Sequence, residues 1–353
     1  MVQSPLLKEV LKEVLAGYPG VTVELNRLEF SGKFEPLIHR WVQYRAAVDA
    51  LEPGDKKEHA IVLRDLIEEE FKEELDACVN LRNEGVMTFE YIWTLFHPGT
   101  LVFSKHQGQD RIFMLKKGNY GFDDNHNLIF SLNCQYIDYD GTNFGTSKLG
   151  LQIASYDGTR PIINLPTMPL DFHKNIADLK ARLIVRGAKV EDLAGSHYRS
   201  YNGIGWRFDM NGNKVKYVVK GRVVVDAYGF NRYNPNGTIF VKRLAAKKLP
   251  TANGAIIANG ISGDVDHEDY LSQISSTQGI NGDGSEENDY HEGYEGQEGI
   301  PDDGFFDDEE EEATKRVALS EDQKMICTPL VRGYSLKEKQ WLNLFVYVSS
   351  NGS

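Results

Sequence analysis

The chain has 353 residues and a formal net charge of −13, but the negative charge is concentrated in one stretch. Residues 251–312 hold nineteen Asp and Glu and no Lys or Arg, whereas residues 1–250 and 313–353 each carry a net charge of +3. The acidic balance therefore describes that stretch alone and excludes a strongly charged folded body. The residues before it suffice for one large domain or two small ones.

Cysteine usage and the distribution of apolar residues limit the cellular compartment. Cys78, Cys134 and Cys327 lie far apart and form no CxxC pair, which excludes a zinc ribbon and favours reduced thiols. Charged residues interrupt the apolar residues of 1–17, so we expect no secretory signal there. No apolar run is long enough for a membrane helix. We therefore expect an intracellular protein, cytoplasmic or nuclear, that is not secreted and has no membrane partner.

Residues 1–84 have the apolar spacing of helices and form the predicted N-terminal helical segment. Ser4 precedes a proline at the start of the first helix, and Gly17 ends that helix. The further predicted elements are a strand over 21–30 and helices over 34–51 and 56–82.

The period of the apolar residues changes to two from residue 100, within a predicted β-rich domain over 85–250. Pairs such as Asn211-Gly212 separate the predicted strands as hairpin turns do. One helix is predicted over 172–186, with Gly187 as its end, and Gly221 indicates a β-bulge. The sequence therefore predicts an α+β fold with N-terminal helices, a mostly antiparallel β-rich domain and one inserted helix. The predicted strands are 101–104, 111–116, 128–139, 149–155, 206–209 and 214–219.

Residues 251–316 are predicted to be a disordered, acidic, Gly-rich linker, because like charges and few apolar residues cannot offset the entropy of ordering. In residues 317–353, Ser320 could cap a short helix, and an apolar run follows over 341–348. No neighbouring element in the sequence covers that run. We interpret 317–353 as the truncated start of a segment that leads to a further module.

The motifs for nucleotide and metal binding are incomplete. Residues 145–150, GTSKLG, come nearest to a phosphate loop, but no Lys-Ser/Thr pair follows them, so we expect a loop that leads into a strand. A cluster of acids and one histidine leaves two alternatives, ordinary hairpin turns or a Ca²⁺, Mg²⁺ or catalytic site. Its members are Asp123, Asp124, His126, Asp138 and Asp140.

Four further features leave a structural and a functional alternative open. His173 and His197 each lie beside an aromatic residue and could serve as a base or pack structurally. Cys134 is a core residue or a nucleophile. The basic cluster 242–248 is a solvated face, a phosphate contact or a nuclear-import signal. The acidic run 307–312 follows two phenylalanines and is either solubilising linker or a short motif for a basic partner.

Several short segments, in their order along the chain, resemble the region that precedes the ATPase module in large fungal AAA-type ATPases. The resemblance covers about 85–346 and is weaker over the N-terminal helices. It implies that ATP and Mg²⁺ are bound by residues downstream of a segment similar to 332–337, and this chain ends before such residues. The matching segments are FEYIWTLFHPG (89–99), CQYIDYDG (134–141), GTRPI (158–162), PLDFH (169–173), RG (186–187), GSHY (195–198), GRVVVD (221–226) and RGYSLK (332–337) up to Trp341.

The resemblance implies an accessory N-terminal region that recognises substrates or partners and has no catalysis of its own. We carry over no catalytic, cofactor-binding or metal-binding residue, and we expect ATP and Mg²⁺ only for the missing downstream module. A protein partner or substrate is expected, and an oligomer only through that module. Two alternatives remain: a nuclear scaffold or nucleic-acid-associated protein, although nucleic acid is the less favoured partner, and a hydrolase or metal-dependent enzyme.

Overall fold

The structure is a computed structural model that describes residues 2–22, 28–30, 32–234, 237–244 and 318–347. The predicted disordered linker 251–316 and the lysines at 247 and 248 lie outside the described residues, as do residues 23–27, which are half of the predicted strand 21–30. Residues 1–245 and 316–353 belong to one compact unit. The predicted α+β class is confirmed: helices come first, antiparallel sheets follow, and a helix is inserted among the strands.

Five helices, counted over the described residues, form the N-terminal part of this unit. Ser4 caps the first one, because its hydroxyl accepts a hydrogen bond from the Leu7 amide at 3.2 Å. The helix predicted over 56–82 is interrupted at Phe71, whose ring packs 5.6 Å from that of Phe34. Tertiary packing of this aromatic ring outweighs the continuous helical pattern. The helices are α1 (Pro5–Val14), α2 (Glu35–His39), α3 (Trp41–Ala50), α4 (Asp55–Glu70) and α5 (Lys72–Asn83).

A six-stranded antiparallel sheet packs against these helices, and both contribute to one hydrophobic core. Alternate residues of its long strands are buried, as the two-residue period predicts. A separate pair, β1 (Val86–Thr88) and β6 (Thr159–Pro161), lies beside it, and 3₁₀ turns at Ile92–Leu95, Ile162–Asn164 and Leu170–Phe172 connect the elements. The large sheet has the order β10-β5-β4-β3-β2-β7, with β2 (Leu101–His106), β3 (Gln109–Phe122), β4 (Leu128–Tyr139), β5 (Phe144–Ala154), β7 (Thr167–Pro169) and β10 (Lys242–Arg243).

A small closed barrel forms the other part of the unit, with the strand order β11-β12-β8-β9. Its first hairpin joins β8 (Ser196–Phe208) and β9 (Lys214–Asp226), and its second joins β11 (Leu330–Ser335) and β12 (Gln340–Phe345). The remaining helices pack around it: α6 (Ile176–Asp192), α7 (Ala227–Tyr233) and α8 (Glu321–Met325).

Three details of the barrel region differ from the sequence-based expectations. The apolar run from Trp341 onwards has partners within the chain, since β12 pairs with β11 and β8, and Leu342 and Leu344 are fully buried. Gly187 lies inside α6 and does not end it. Gly221 pairs with Tyr201 in an unbroken register, so no bulge occurs there. Each expectation assumed local sequence effects where packing between distant segments decides the structure.

No helix among the described residues combines the length and apolar character that crossing a membrane requires.

Candidate functional site

The cluster of acids and a histidine does not form one site. Asp123 and His126 lie in the turn before β4, whereas Asp138 and Asp140 lie at its other end, about 36 Å away at about 3.3 Å per residue. Asp123 accepts hydrogen bonds from backbone amides of its own turn, and so does Asp140. Within the described ranges, no three His, Cys, Asp or Glu side chains are placed to hold a metal ion. The hairpin-turn alternative accounts for Asp123, His126 and Asp140, whereas Asp138 lies within β4 and is buried.

The two candidate histidines lie on different elements and are engaged locally. Nδ1 of His173 accepts from the Asn175 amide at 3.2 Å, and its ring lies 4.8 Å from that of Phe103. Nε2 of His197 donates to the Ala194 carbonyl at 2.9 Å, which leaves Nδ1 to accept from Arg199 at 3.3 Å. These contacts fit the structural alternative for both residues.

The thiols lack the environment of a nucleophile. Cys134 is fully buried in β4, and burial raises its pKa to about 12. Burial also raises the pKa of Cys327 to about 12 and that of Cys78 above its usual range. A thiolate is therefore scarce at neutral pH at each position.

Two further sequence motifs, the segment 145–150 and the first residues of the basic cluster 242–248, lie together at one edge of the large sheet. Residues 145–150 lie within β5, and Gly145 pairs with Arg243 of β10. A side chain on Gly145 would collide with Val241, so glycine serves strand packing there. Lys242 and Arg243 are exposed on β10. The predicted loop is therefore a strand, and it makes no phosphate-binding turn.

The barrel contains an open pocket, here called the barrel mouth, between β8, the end of α6 and the residues after β12. Its volume is about 420 Å³. Val223, Val225, Val331 and Leu344 form an apolar floor of inward-facing barrel side chains. Pockets of this size with apolar walls and a few polar groups are typical binding sites for ligands or side chains.

The rim of the barrel mouth is polar and mainly cationic. Lys189 and Asp192 contribute from α6, and Arg199 contributes from β8. The Lys189 ammonium donates to the Tyr347 carbonyl at 3.4 Å, and Arg199 donates to the Tyr198 carbonyl at 3.0 Å. Both cations are thus held at the opening, where an anionic group would meet them.

Small residues in β8 make room for the mouth. A side chain on Gly205 would meet Leu344, Leu342 and Val219 within 3.0–3.2 Å, so these side chains would have to shift by a few tenths of an ångström to admit it. A side chain on Gly203 would meet the Tyr347 ring at 2.9 Å. Tyr347 thus packs over Gly203 and forms one wall of the opening.

The outer face of the β8–β9 hairpin is basic. Residues directly opposite one another in an antiparallel pair share a face, so Lys214, Lys216, Lys220 and Arg222 all point outward. The Lys214 ammonium lies 3.8 Å from the centroid of the Trp206 ring, and the Arg222 guanidinium lies 5.2 Å from that of Tyr198.

This outer face continues into a groove of about 280 Å³ beside the β2–β3 turn. Trp206, Phe345, Ile204 and Tyr347 supply its apolar surface. Because Phe345 and Tyr347 also line the barrel mouth, the groove and the mouth adjoin one another.

A buried polar cluster joins the barrel to the six-stranded sheet. Arg332 of β11 forms a two-pronged ion pair with Asp138 of β4, with Nη2 2.8 Å from Oδ2. Burial lowers the pKa of Arg332, but the Asp138 carboxylate outweighs burial and the net shift is upward. Arg111 lies between the rings of Phe113 and Tyr136, each 4.5 Å away. Burial lowers its pKa to about 10, and the Tyr136 and Asp138 side chains oppose that shift.

Sequence reasoning missed the barrel mouth, although signals for it were present. The alternation of Gly203 and Gly205 in β8 and the apolar run Val223–Val225 in β9 are typical of a tightly packed barrel interior. The partner strand, β12, lies more than a hundred residues further along the chain, so no local pattern connects them.

Residues 77–174 match a family described as a domain of unknown function, DUF7025. This range begins in α5 and includes every strand of the large sheet except β10. The barrel lies outside it. No curated protein and no solved structure matches the chain.

Proposed function

We propose that this chain is the accessory N-terminal region of an AAA-type ATPase family protein and that it recognises a protein partner or substrate without catalysis of its own. The family part rests on the ordered segments that resemble the region before the ATPase module. The stretch matched as DUF7025 overlaps the first four of those segments. The recognition part rests on the barrel mouth.

The barrel mouth is the observation that carries recognition. An apolar floor that opens to solvent beside two cations can receive a side chain from another molecule, and it needs no reacting group to do so. Among the candidate catalytic groups of the sequence, Asp123 is engaged in its own turn, His197 donates to the Ala194 carbonyl, and Cys134 is buried in the core. Binding without chemistry is therefore the function that this arrangement supports best.

Selection from a random dodecapeptide phage library tests recognition directly. We expect the purified chain to enrich a peptide family and the Asn202→Trp variant, which places an indole at the exposed rim of the mouth, to lose that enrichment. Asn119→Trp is the matched control, since Asn119 is exposed on β3 of the other sheet. Absence of any enriched peptide, or equal enrichment by all three proteins, would refute the recognition function.

Two further measurements test the rest of the proposal. Equilibrium binding of radiolabelled ATP should show no saturable component, and measurable binding or turnover would refute the non-catalytic part. Genomic sequence beyond the codon for Ser353 should encode a Gly-x4-Gly-Lys-Thr motif in frame if the family assignment is right.

A further inference from the structure

Strand β8 has an unpaired edge beside the barrel mouth. On one side it pairs with β9 along its whole length, from Ser196 to Phe208. On the other side it pairs with β12 only at Gly205 and Trp206. Within the described part of the chain, no strand pairs with that second side over 196–204. Backbone donors and acceptors along such an edge are a ready template for another extended segment.

A tyrosine holds this edge apart from β12. The Tyr201 hydroxyl donates to the Ile204 carbonyl at 2.9 Å and accepts from the Phe345 amide at 3.1 Å. It therefore occupies the place where the β8–β12 ladder would continue beyond Leu344. Strands β8 and β12 therefore stay apart between Tyr201 and the start of β8. The residues of β8 from Arg199 to Asn202 line the mouth.

Pairing with this edge would direct alternate side chains of an added strand to two different surroundings. Inward side chains would enter the mouth, above its apolar floor and beside Arg199 and Lys189. Outward side chains would lie beside Ser200 and Asn202, which pair with Arg222 and Lys220. The protein thus offers four cationic side chains to the added strand: Arg199, Lys189, Arg222 and Lys220. Asp192 is the acid at the same rim, so the charge of these surroundings favours an acidic segment.

We propose that the barrel mouth binds an extended acidic peptide segment, which adds to the free edge of β8 and inserts one large apolar side chain into the mouth. This inference rests on the recognition function proposed above and names its ligand class and binding mode. The backbone pairing gives affinity, the pocket selects the apolar side chain, and the cations select the flanking acids.

A peptide fits these features better than a nucleic acid, whose phosphates could also meet the cations. A nucleic acid has no backbone amides and carbonyls to pair with a strand edge. Trp206 is only 6% exposed, but the rings of Tyr198 and Tyr347 beside the mouth are about half exposed and could stack on bases, so ring exposure does not decide between the two ligand classes. Nucleic-acid binding is therefore an outcome that the test must be able to show.

The first test asks whether the peptide backbone pairs with β8. The probe is the fluorescent decapeptide EEETVFVTEE, measured by fluorescence polarisation with the full-length chain. Two modified probes carry N-methyl groups on alternate residues, one set on the odd positions and the other on the even positions. A paired strand uses only alternate amides toward one neighbour, so we expect one set to lose about tenfold or more and the other to keep its affinity. Equal affinities, or equal losses, would contradict backbone pairing.

The second test asks whether the rim cations select acids. Arg199→Glu and Lys189→Glu should each weaken binding of the same probe by about two- to fivefold, because an ion pair between a solvated rim cation and an acid of the probe contributes modestly. Asp192→Asn removes a repulsive charge and should strengthen binding. Arg243→Glu makes the same charge change on exposed β10 and should leave the affinity unchanged. A loss of affinity in Arg199→Glu that is absent in Arg243→Glu distinguishes local charge from net charge.

The outcomes separate this inference from the proposed function. If the library yields peptides that bind but neither alternate methylation nor Arg199→Glu affects them, recognition stands and the inference fails. If an oligothymidylate displaces the probe and binds more tightly than it does, the ligand class is wrong. If no library peptide binds the wild-type chain, the recognition function fails, and this inference fails with it.

Discussion

Neutralising Asp138 is the most direct test of how the barrel is joined to the six-stranded sheet. It is fully buried, forms the ion pair with Arg332 and lies near Arg111. Nε and Nη2 of Arg111 have no hydrogen-bond partner among the described residues. One carboxylate thus balances two buried guanidinium groups. Asp138→Asn should cost about 3–5 kcal/mol, the range for an uncompensated buried charge.

Removing an arginine should cost less. In Arg332→Met, Asp138 keeps Arg111 as its counter-charge and the Tyr139 amide as a hydrogen-bond donor at 2.8 Å. We expect a loss of about 1.5–3 kcal/mol, the contribution of hydrogen bonds to a charged group. The decisive comparison is Asp138→Asn made in the Arg332→Met background. It should still cost at least about 1 kcal/mol, because Arg111 then has no carboxylate nearby.

Guanidinium chloride unfolding, followed by tryptophan fluorescence at neutral pH, measures these differences through the midpoint at constant slope. Asp124→Asn is the control, since Asp124 is exposed in the turn before β4, and its effect should stay within about 0.5 kcal/mol. An isolated ion pair would behave differently. Its two single variants would cost similar amounts, and Asp138→Asn would be neutral or stabilising once Arg332 is gone. That result would refute the shared-carboxylate reasoning.

Three further predictions concern stability. Burial lowers the pKa of His39 to about 3, so the folded state excludes a proton that the unfolded chain binds below about pH 6.5. The free energy of unfolding should therefore fall by up to about 1.4 kcal/mol per pH unit from pH 6.5 downwards, and His39→Gln should flatten that slope in urea titrations. His126 has φ +61° in the turn before β4, and Gly212 has φ +78° at the corresponding position of the β8–β9 turn. His126→Gly should therefore raise the free energy of unfolding in urea by about 0.5–1 kcal/mol, and Gly212→Ala should lower it. A side chain on Gly187 would lie 2.7 Å from backbone atoms of Lys324, so Gly187→Ala should cost about 1–3 kcal/mol in thermal unfolding despite better helix propensity.

Four of the six strands of the large sheet could be predicted because their signals are local, although β3 and β5 extend beyond their predicted bounds and the short strands β7 and β10 were not predicted. The predicted strand 128–139 has the bounds of β4, since alternating apolar residues and turn residues at both ends define it. Strand β8 was predicted only over 206–209, although it starts at Ser196. Serine, asparagine and glycine in its first half have low strand propensity, and pairing with β9 overrides that preference. Local propensity therefore fails where the partner strand supplies the stability.

The predictions of the helix ends and of the C-terminal strands failed for a related reason. Gly187 ends a helix in most contexts, but here its missing side chain lets the backbone at Lys324 approach α6. The apolar run that begins at Trp341 is interpreted as unfinished because β8, with which it pairs, precedes the acidic stretch, as does β9, which pairs with β11. The segments that resemble the family region include both halves of the barrel, but similarity of short segments does not specify which strands pair.

The closure of the barrel links the proposed recognition to the buried ion pair. Arg332 pairs in register with Asn343, and Asn343 pairs with Trp206, so one row of residues runs across three strands from the ion pair to the groove. Asp138 fixes the first residue of this row to the six-stranded sheet. The mouth is open because β12 pairs with β8 only at Gly205 and Trp206, and the two strands separate beyond these residues. A change that frees Arg332 should therefore alter the groove as well as stability, whereas a change at the exposed rim should alter binding alone.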